Sequence, residues 1–259
     1  MRFRYILSRT AGAILAIPFY LVFGMLLLVF HPLQVISRRL GGYEAHKRSV
    51  VILNLLLLRT LHILGAKIVF KGFETIPSGR PLIIVSNHQS AFDIPPVIWG
   101  FRKYHPKFIS KKELGRFIPS ISYNLRHGGS VLIDRANRLQ SVKEIIRLGE
   151  FISANNFSAC IFPEGTRSRD GVVRRFKAAG FASLLKAAPE AVIIPFAIKG
   201  NHSITPDKSK LPAAFVSLEY TALAPVEPAG READAVLAEA EQRIREVVNI
   251  DVVTPDIKK

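Results

Sequence analysis

No charged side chain occurs between Ala11 and Phe30. Twenty helical residues extend about 30 Å, the thickness of a bilayer's hydrocarbon core. A chain carrying this segment must cover it with lipid or with its own core. Arg2, Arg4 and Arg9 precede the run, and Arg38, Arg39, Lys47 and Arg48 follow it. A cleavable signal peptide has a shorter apolar region, about 7–15 residues, and a small-x-small cleavage site that does not follow here. A second apolar stretch, Val50 to Leu64, is interrupted by Asn54, Arg59 and His62. Two apolar segments with basic residues outside and between them fit a helical hairpin dipping into one leaflet. They also fit a single span plus an interfacial helix, because both flanks are basic and the positive-inside rule does not choose. Pro18 is expected to kink the first helix in either arrangement. Residues 1–64 read as N-terminal membrane-anchoring helices.

After Gly65 the pattern changes to short strand-like segments separated by helices. Lys67–Lys71 alternates polar and apolar, as a half-buried strand does. Residues 81–86 (PLIIVS), 107–110, 131–133, 157–162 (FSACIF) and 192–198 (VIIPFAI) are short and apolar, as buried strands are. Helices are expected at residues 96–101, 138–153 and 176–188. This β-α-β-α order predicts an α/β fold with a mostly parallel central sheet flanked by helices over residues 65–224. Residues 225–259 read as a linker and an amphipathic helix, Arg231–Val248, that packs on the domain through Val236, Leu237, Ala240, Ile244 and Val247.

The charge is unevenly placed. Of a formal +16, residues 102–177 carry 16 basic and 6 acidic side chains, a net of +10, whereas the tail from Leu211 carries 5 basic and 9 acidic. An anionic partner is implied, either nucleic acid or a membrane with phosphate-bearing substrates. No recognisable nucleic-acid module occurs, and the 17 Phe lie mostly in apolar segments rather than among basic ones. Cys160 is the only cysteine, which excludes a disulfide scaffold. Its place in an apolar strand suggests a buried, inert thiol.

Three segments that could carry chemistry each follow a strand. Asn87-His88-Gln89-Ser90-Ala91-Phe92-Asp93 succeeds PLIIVS at once. In α/β sheets functional groups gather beyond the carboxyl ends of strands. A carboxylate five residues after a histidine can hold one ring nitrogen while the other takes a proton from a hydroxyl. Asp93 also precedes Ile94-Pro95-Pro96, so a helix N-cap is a second explanation, and Ser90 with Asp93 has capping-box spacing. The next segment is Phe162-Pro163-Glu164-Gly165-Thr166-Arg167-Ser168-Arg169-Asp170-Gly171. Its glycines permit positive φ, and Arg167 offers a planar fork suited to phosphate oxygens. Basic residues recur at Lys111, Lys112 and Arg116, and Arg135 ends the run Gly128–Arg135. The chain lacks a Walker loop, a G-x-S-x-G elbow, an H-E-x-x-H motif and paired cysteines for zinc.

Together these residues resemble the lysophospholipid acyltransferase family, and most of all its 1-acylglycerol-3-phosphate acyltransferases. Asn87-His88-x-Ser90-x-x-Asp93 resembles the family's N-H-x-x-x-x-D signature. Gly129-Ser130-Val131-Leu132-Ile133-Asp134-Arg135 resembles its second block, with Leu132 where Phe is common. Residues 162–168 match the third block, and Val192-Ile193-Ile194-Pro195-Phe196 resembles the fourth. The likeness covers roughly residues 65–220 in the expected order.

The resemblance implies the glycerolipid acyltransferase fold and transfer of a fatty acyl group from acyl-CoA or acyl carrier protein to the sn-2 hydroxyl of lysophosphatidic acid, giving phosphatidic acid in phospholipid synthesis. His88 would be the general base and Asp93 its orienter. Arg167 and Arg135, with Lys112, would hold the substrate phosphate, and Thr166 would add a donor. Glu164 and Gly165 would shape the glycerol site, and Pro195 the last wall. No metal or redox cofactor and no nucleic acid is implied. Membrane lipids are the expected partners, with the active site on the cytoplasmic side of a bacterial inner membrane. The alternatives are acylation of another acceptor, a lyso-ornithine lipid or glycerol-3-phosphate, and a non-catalytic, membrane-attached anion-binding protein.

Overall fold

The computed structural model describes residues 2–206 and 211–249. The last ten residues of the segment expected at 225–259 lie outside the described residues. The chain opens with helix α1 (Arg2–Thr60), which keeps helical backbone angles at Pro18 and Pro32 and leaves them at Gly42 (φ 65, ψ −152). The bend expected at Pro18 thus falls 24 residues later. Proline removes one hydrogen bond but holds φ near the helical value, whereas reversing the chain needs a positive φ, which glycine adopts without a Cβ clash.

The two arms of α1, residues 2–41 and 43–60, fold back on each other, and Leu27 of the first meets Leu53 and Leu57 of the second. The first arm also touches the rest of the protein from Ser8 to His31. Ser8 exchanges hydrogen bonds with Ala214: its hydroxyl donates to the Ala214 carbonyl (2.6 Å), and the Ala214 N–H donates to the Ser8 carbonyl (3.1 Å). A Cβ on Gly12 would lie 2.2 Å from the Pro212 carbonyl oxygen, so the backbones are in direct contact there. Further along, Phe19 and Phe23 pack on Phe92. Beyond them, the Leu27 carbonyl accepts the Ser120 hydroxyl (2.7 Å). The opposite stripe, including Ile14, Ile17, Leu21, Met25 and Leu28, is exposed and apolar.

Downstream follow β1 (Lys67–Lys71), β2 (Leu82–Ser86), α2 (Ile94–Gly100), β3 (Pro106–Lys111), α3 (Ile121–His127) and β4 (Val131–Ile133). Then come α4 (Arg138–Asn155), β5 (Ser158–Ile161), α5 (Ala178–Ala187), β6 (Val192–Lys199), β7 (Ser217–Ala222) and α6 (Ala233–Val248). Among the described residues the strands form one sheet in the order β1-β7-β6-β2-β5-β3-β4. Strands β6, β2, β5, β3 and β4 are mutually parallel, and β7 runs against β6 with β1 parallel to β7. The sheet is therefore α/β and mostly parallel, as the β-α-β-α order implies. Sequence patterning missed β7 and α3. The Leu218, Tyr220, Ala222 alternation was available for β7, whereas α3 is seven residues long without a side-chain cap.

The pleat of β2 divides the core. Leu82 and Ile84 face the hairpin and α2, joined by Phe19, Val50, Leu58 and Leu61. Ile83 and Val85 face α4, α5 and α6, where Val236, Leu237, Ala240 and Ile244 are buried. Burying an aliphatic side chain contributes about 1.5–3 kcal/mol. The hairpin's inner stripe is thus part of one of the protein's two main cores.

A buried lysine marks the amino end of β3. The Lys107 amine donates to the Tyr43 hydroxyl (2.6 Å) and lies over the rings of Tyr43 and Phe157. Burial, with the nearby Lys47 ammonium, pushes its pKa down from 10.5 to about 7. Between these values the unfolded chain binds more protons than the folded one, so stability gains with rising pH across that window. Lys107→Met should flatten this rise, which melting temperatures measured between pH 7 and pH 10 will read.

Candidate active site

The five parallel strands bring their carboxyl ends to one edge in the order β6-β2-β5-β3-β4. At the end of β2, Asn87 prolongs the ladder with its side chain: its amide donates to the Ile198 carbonyl and accepts the Ile198 N–H, both at 2.8 Å. The backbone leaves the sheet at the next residue, His88, whose Nδ1 lies 2.6 Å from Asp93 Oδ2.

Asp93 is fully buried and completely engaged. Besides His88, its Oδ2 accepts the backbone N–H groups of Gln89 (2.7 Å) and Ser90 (2.9 Å). Its Oδ1 accepts the Asn201 side-chain amide (2.7 Å), and Asn201 Oδ1 in turn accepts the Tyr220 hydroxyl (2.8 Å). The Ser90 hydroxyl accepts the Phe92 N–H, completing a capping box on the short 3₁₀ turn Ala91–Asp93. The capping box and the histidine pairing share Asp93 Oδ2. The Asp93 side chain does not cap α2, because both its oxygens are turned to the His88 loop and Asn201.

An ionised carboxylate has no proton to give, so Nδ1 is the donor and Nε2 keeps its lone pair. No side chain among the described residues occupies Nε2, and the imidazole is 16% exposed. One face of the ring stacks on Phe162 at 4.3 Å. Such a group can accept a proton from a hydroxyl and hold the positive charge against Asp93.

The loop after β5 is stitched to the His88 loop. Glu164 is buried, its Oε1 accepts the His88 backbone N–H (2.8 Å), and its Oε2 accepts that of Arg174 (3.2 Å). Burial raises its pKa, partly offset by these two donors. The Ser168 N–H donates to the His88 carbonyl at 2.7 Å. Both oxygens of Glu164 are therefore occupied by backbone, and its structural part is to hold two loops in register. Gly165 (φ 74) and Gly171 (φ 80) adopt the positive φ foreseen for them. Thr166 and Arg167 are exposed on the same loop.

The remaining candidates are more dispersed. Lys112 and Arg135 follow β3 and β4, two and three strands from β2, which corresponds to about 10–15 Å across the sheet. The Lys112 amine is 2.5 Å from Asp134. Pro195 is buried inside β6 in register with Val85, below the His88 turn. Cys160 is buried in β5, and burial pushes its thiol pKa well up. Sequence reasoning missed three residues. Asn201 follows β6 at the same carboxyl edge, so the rule that located His88 could have found it. Lys177 places its amine 3.6 Å from where a Cβ on Gly165 would lie, beside the Arg167 loop. Tyr220 lies on the buried face of the alternating strand β7, where its ring reads as core and nothing local marks its hydroxyl. Among the described residues no three His, Cys, Asp or Glu side chains gather as a metal site.

A family model described as Acyltransferase matches residues 67–199. A 1-acyl-sn-glycerol-3-phosphate acyltransferase of Chlamydomonas reinhardtii is 32% identical over 65% of this chain and 50% of its own length. A chloroplastic enzyme of the same name from Arabidopsis thaliana is 31% identical over 71% of this chain and 50% of its own length. The chain spans about half the length of these curated relatives. The crystal structure of the 1-acyl-sn-glycerophosphate acyltransferase PlsC from Thermotoga maritima superposes with a TM-score of 0.78 at 25% identity. That match covers 98% of this chain and 99% of the other.

Proposed function

The chain belongs to the acyltransferase family, and from that premise we propose that it acylates the sn-2 hydroxyl of lysophosphatidic acid to give phosphatidic acid. The acyl group comes from a thioester, carried by coenzyme A or an acyl carrier protein. What carries the reading is the 2.6 Å contact between His88 Nδ1 and Asp93 Oδ2, which leaves Nε2 ready to accept a proton. The names of the relatives support the choice of acceptor.

In the reaction Nε2 takes the hydroxyl proton as the oxygen attacks the thioester carbonyl carbon. The new C–O bond forms a tetrahedral intermediate, and the C–S bond then breaks. The departing thiolate recovers the proton from the imidazolium, which Asp93 has stabilised. No oxidation or reduction occurs, so the exchange requires no redox cofactor. The base step supplies roughly 10²–10⁴-fold, and alignment of the two substrates contributes much of the rest.

Arg167 is the leading phosphate ligand, because it is exposed on the loop tied to His88. Arg167→Ala should raise KM for lysophosphatidic acid about 10–100-fold, the range for losing a charged hydrogen bond, with little change in kcat. An unchanged KM removes Arg167 from the phosphate site. Assaying each donor, acyl-CoA and acyl carrier protein, against lysophosphatidic acid, glycerol-3-phosphate and lyso-ornithine lipid tests the function itself. Preference for a phosphate-free acceptor would overturn the proposed substrate.

We read the hairpin as lying in one leaflet. Its first arm touches the rest of the protein from Ser8 to Leu27, and Tyr43, just past the bend, stacks on Phe157. Lipid cannot surround a helix held along one side, and the exposed apolar stripe then meets the acyl chains. The active site faces the compartment that holds the thioester donor, the cytoplasm.

A further inference from the structure

Phe117 is 97% exposed, and its backbone sits at φ 66, a conformation that suits glycine and strains phenylalanine. A large apolar side chain in water on a strained backbone contributes nothing to folding. The loop around it is nevertheless held firmly. The Ile118 N–H donates to the Ser122 hydroxyl (3.0 Å), which donates to the Leu114 carbonyl (2.8 Å). Ser120, also at positive φ, donates its N–H to His31 Nδ1 (3.1 Å) and its hydroxyl to the Leu27 carbonyl (2.7 Å). Both acceptors belong to the first arm of the hairpin, and Phe117 is only three residues, about 10 Å of chain at most, from Ser120. The neighbouring arm residues Met25, Leu28 and Val29 are exposed and apolar. Arg116 and Lys111 are exposed beside the phenylalanine, within the segment of net +10.

We propose that residues 111–120 form a second membrane contact, in which Phe117 enters an anionic bilayer surface beside the hairpin while Arg116 and Lys111 meet lipid phosphates. The inference rests on the reading that the hairpin itself lies in lipid. It adds that the active-site side of the sheet is tethered from two directions, since the same loop follows β3 at the carboxyl edge. A lipid surface fits better than a protein partner for two reasons: the apolar area continues that of the arm, and near-surface Lys and Arg each favour an anionic leaflet by about fivefold.

Because Cys160 is buried, Phe117→Cys provides a single reactive position for an environment-sensitive fluorophore in the full-length protein. Leu28→Cys reports on the hairpin, and Leu139→Cys, 86% exposed on α4, serves as the control. With vesicles of equal parts phosphatidylcholine and phosphatidylglycerol, the labels at 117 and 28 should shift to the blue and escape iodide quenching, while that at 139 should not. A shift at 28 without one at 117 overturns this inference and leaves the hairpin reading intact; no shift at either overturns both. A shift at 117 that grows with protein concentration in the absence of vesicles means self-association and also overturns it, as does an equal shift at 139. Phe117→Gly provides a second, independent readout. It should raise thermal stability by relieving strain, yet weaken vesicle binding about tenfold or more. Unweakened binding overturns the inference.

Discussion

Replacing His88 with alanine is expected to lower kcat by about 10²–10⁴ and to leave lysolipid binding near its original strength. The expectation follows from how the imidazole is held. Its Nδ1 is committed to Asp93, its face to Phe162 and its backbone N–H to Glu164, so the ring is fixed and only Nε2 is free to react. Removing the ring removes the proton acceptor, whereas Arg167 and the hairpin's apolar surface remain. The protein should also stay folded, because the side chain is not part of either main hydrophobic cluster. Turnover of purified His88→Ala, measured beside lysolipid binding, checks this. Wild-type turnover would eliminate the general-base mechanism, and a joint loss of binding and turnover would assign the residue to substrate capture instead.

Asp93→Asn should cost nearly as much, roughly 10²–10³ in kcat, for a different reason. The amide can still occupy the same space, but it cannot stabilise an imidazolium. It also presents an N–H₂ group where Asp93 now receives hydrogen bonds from Gln89, Ser90, His88 and Asn201. With three donors on Oδ2 and one on Oδ1, either amide orientation sets donor against donor. The variant should therefore lose thermal stability as well as turnover. Tyr220→Phe separates the two effects. Its hydroxyl acts through Asn201 on Asp93 Oδ1, away from the histidine, so its deletion should lower kcat less than tenfold while KM stays constant. Stability and turnover of the two variants, measured together, test the chain of contacts. A Tyr220→Phe enzyme whose KM rises while kcat holds would place Tyr220 near substrate rather than behind Asp93.

The candidate site was partly legible because its central pair is local. His88 and Asp93 are five residues apart in one turn after an apolar strand, and a spacing of that kind is visible without knowing the fold. The same holds for Gly165 and Gly171, whose positive φ belongs to their own loop. Glu164 was recognisable as unusual, but its contact with His88 spans 76 positions, and that with Arg174 depends on how the loop closes. Asn201 reaches Asp93 across 108 positions. In the hairpin, proline marked a helix irregularity, yet the reversal occurs at Gly42 because only that residue leaves helical angles.

Sequence alone determined the segments: an uncharged run too long and apolar to lie in water, buried strands that each end in a polar loop, and a histidine with a carboxylate five residues on. These follow from side-chain chemistry and short-range periodicity, which residues carry wherever they are placed. Tertiary structure decided which loops share an edge, that Asn201 and Tyr220 stand behind Asp93, that Glu164 binds backbone, and that the hairpin lies along the domain. Those facts depend on strand order and on packing between residues distant in the chain. Many orders of these strands could bury the same apolar faces, and the one adopted is set by the summed fit of both cores.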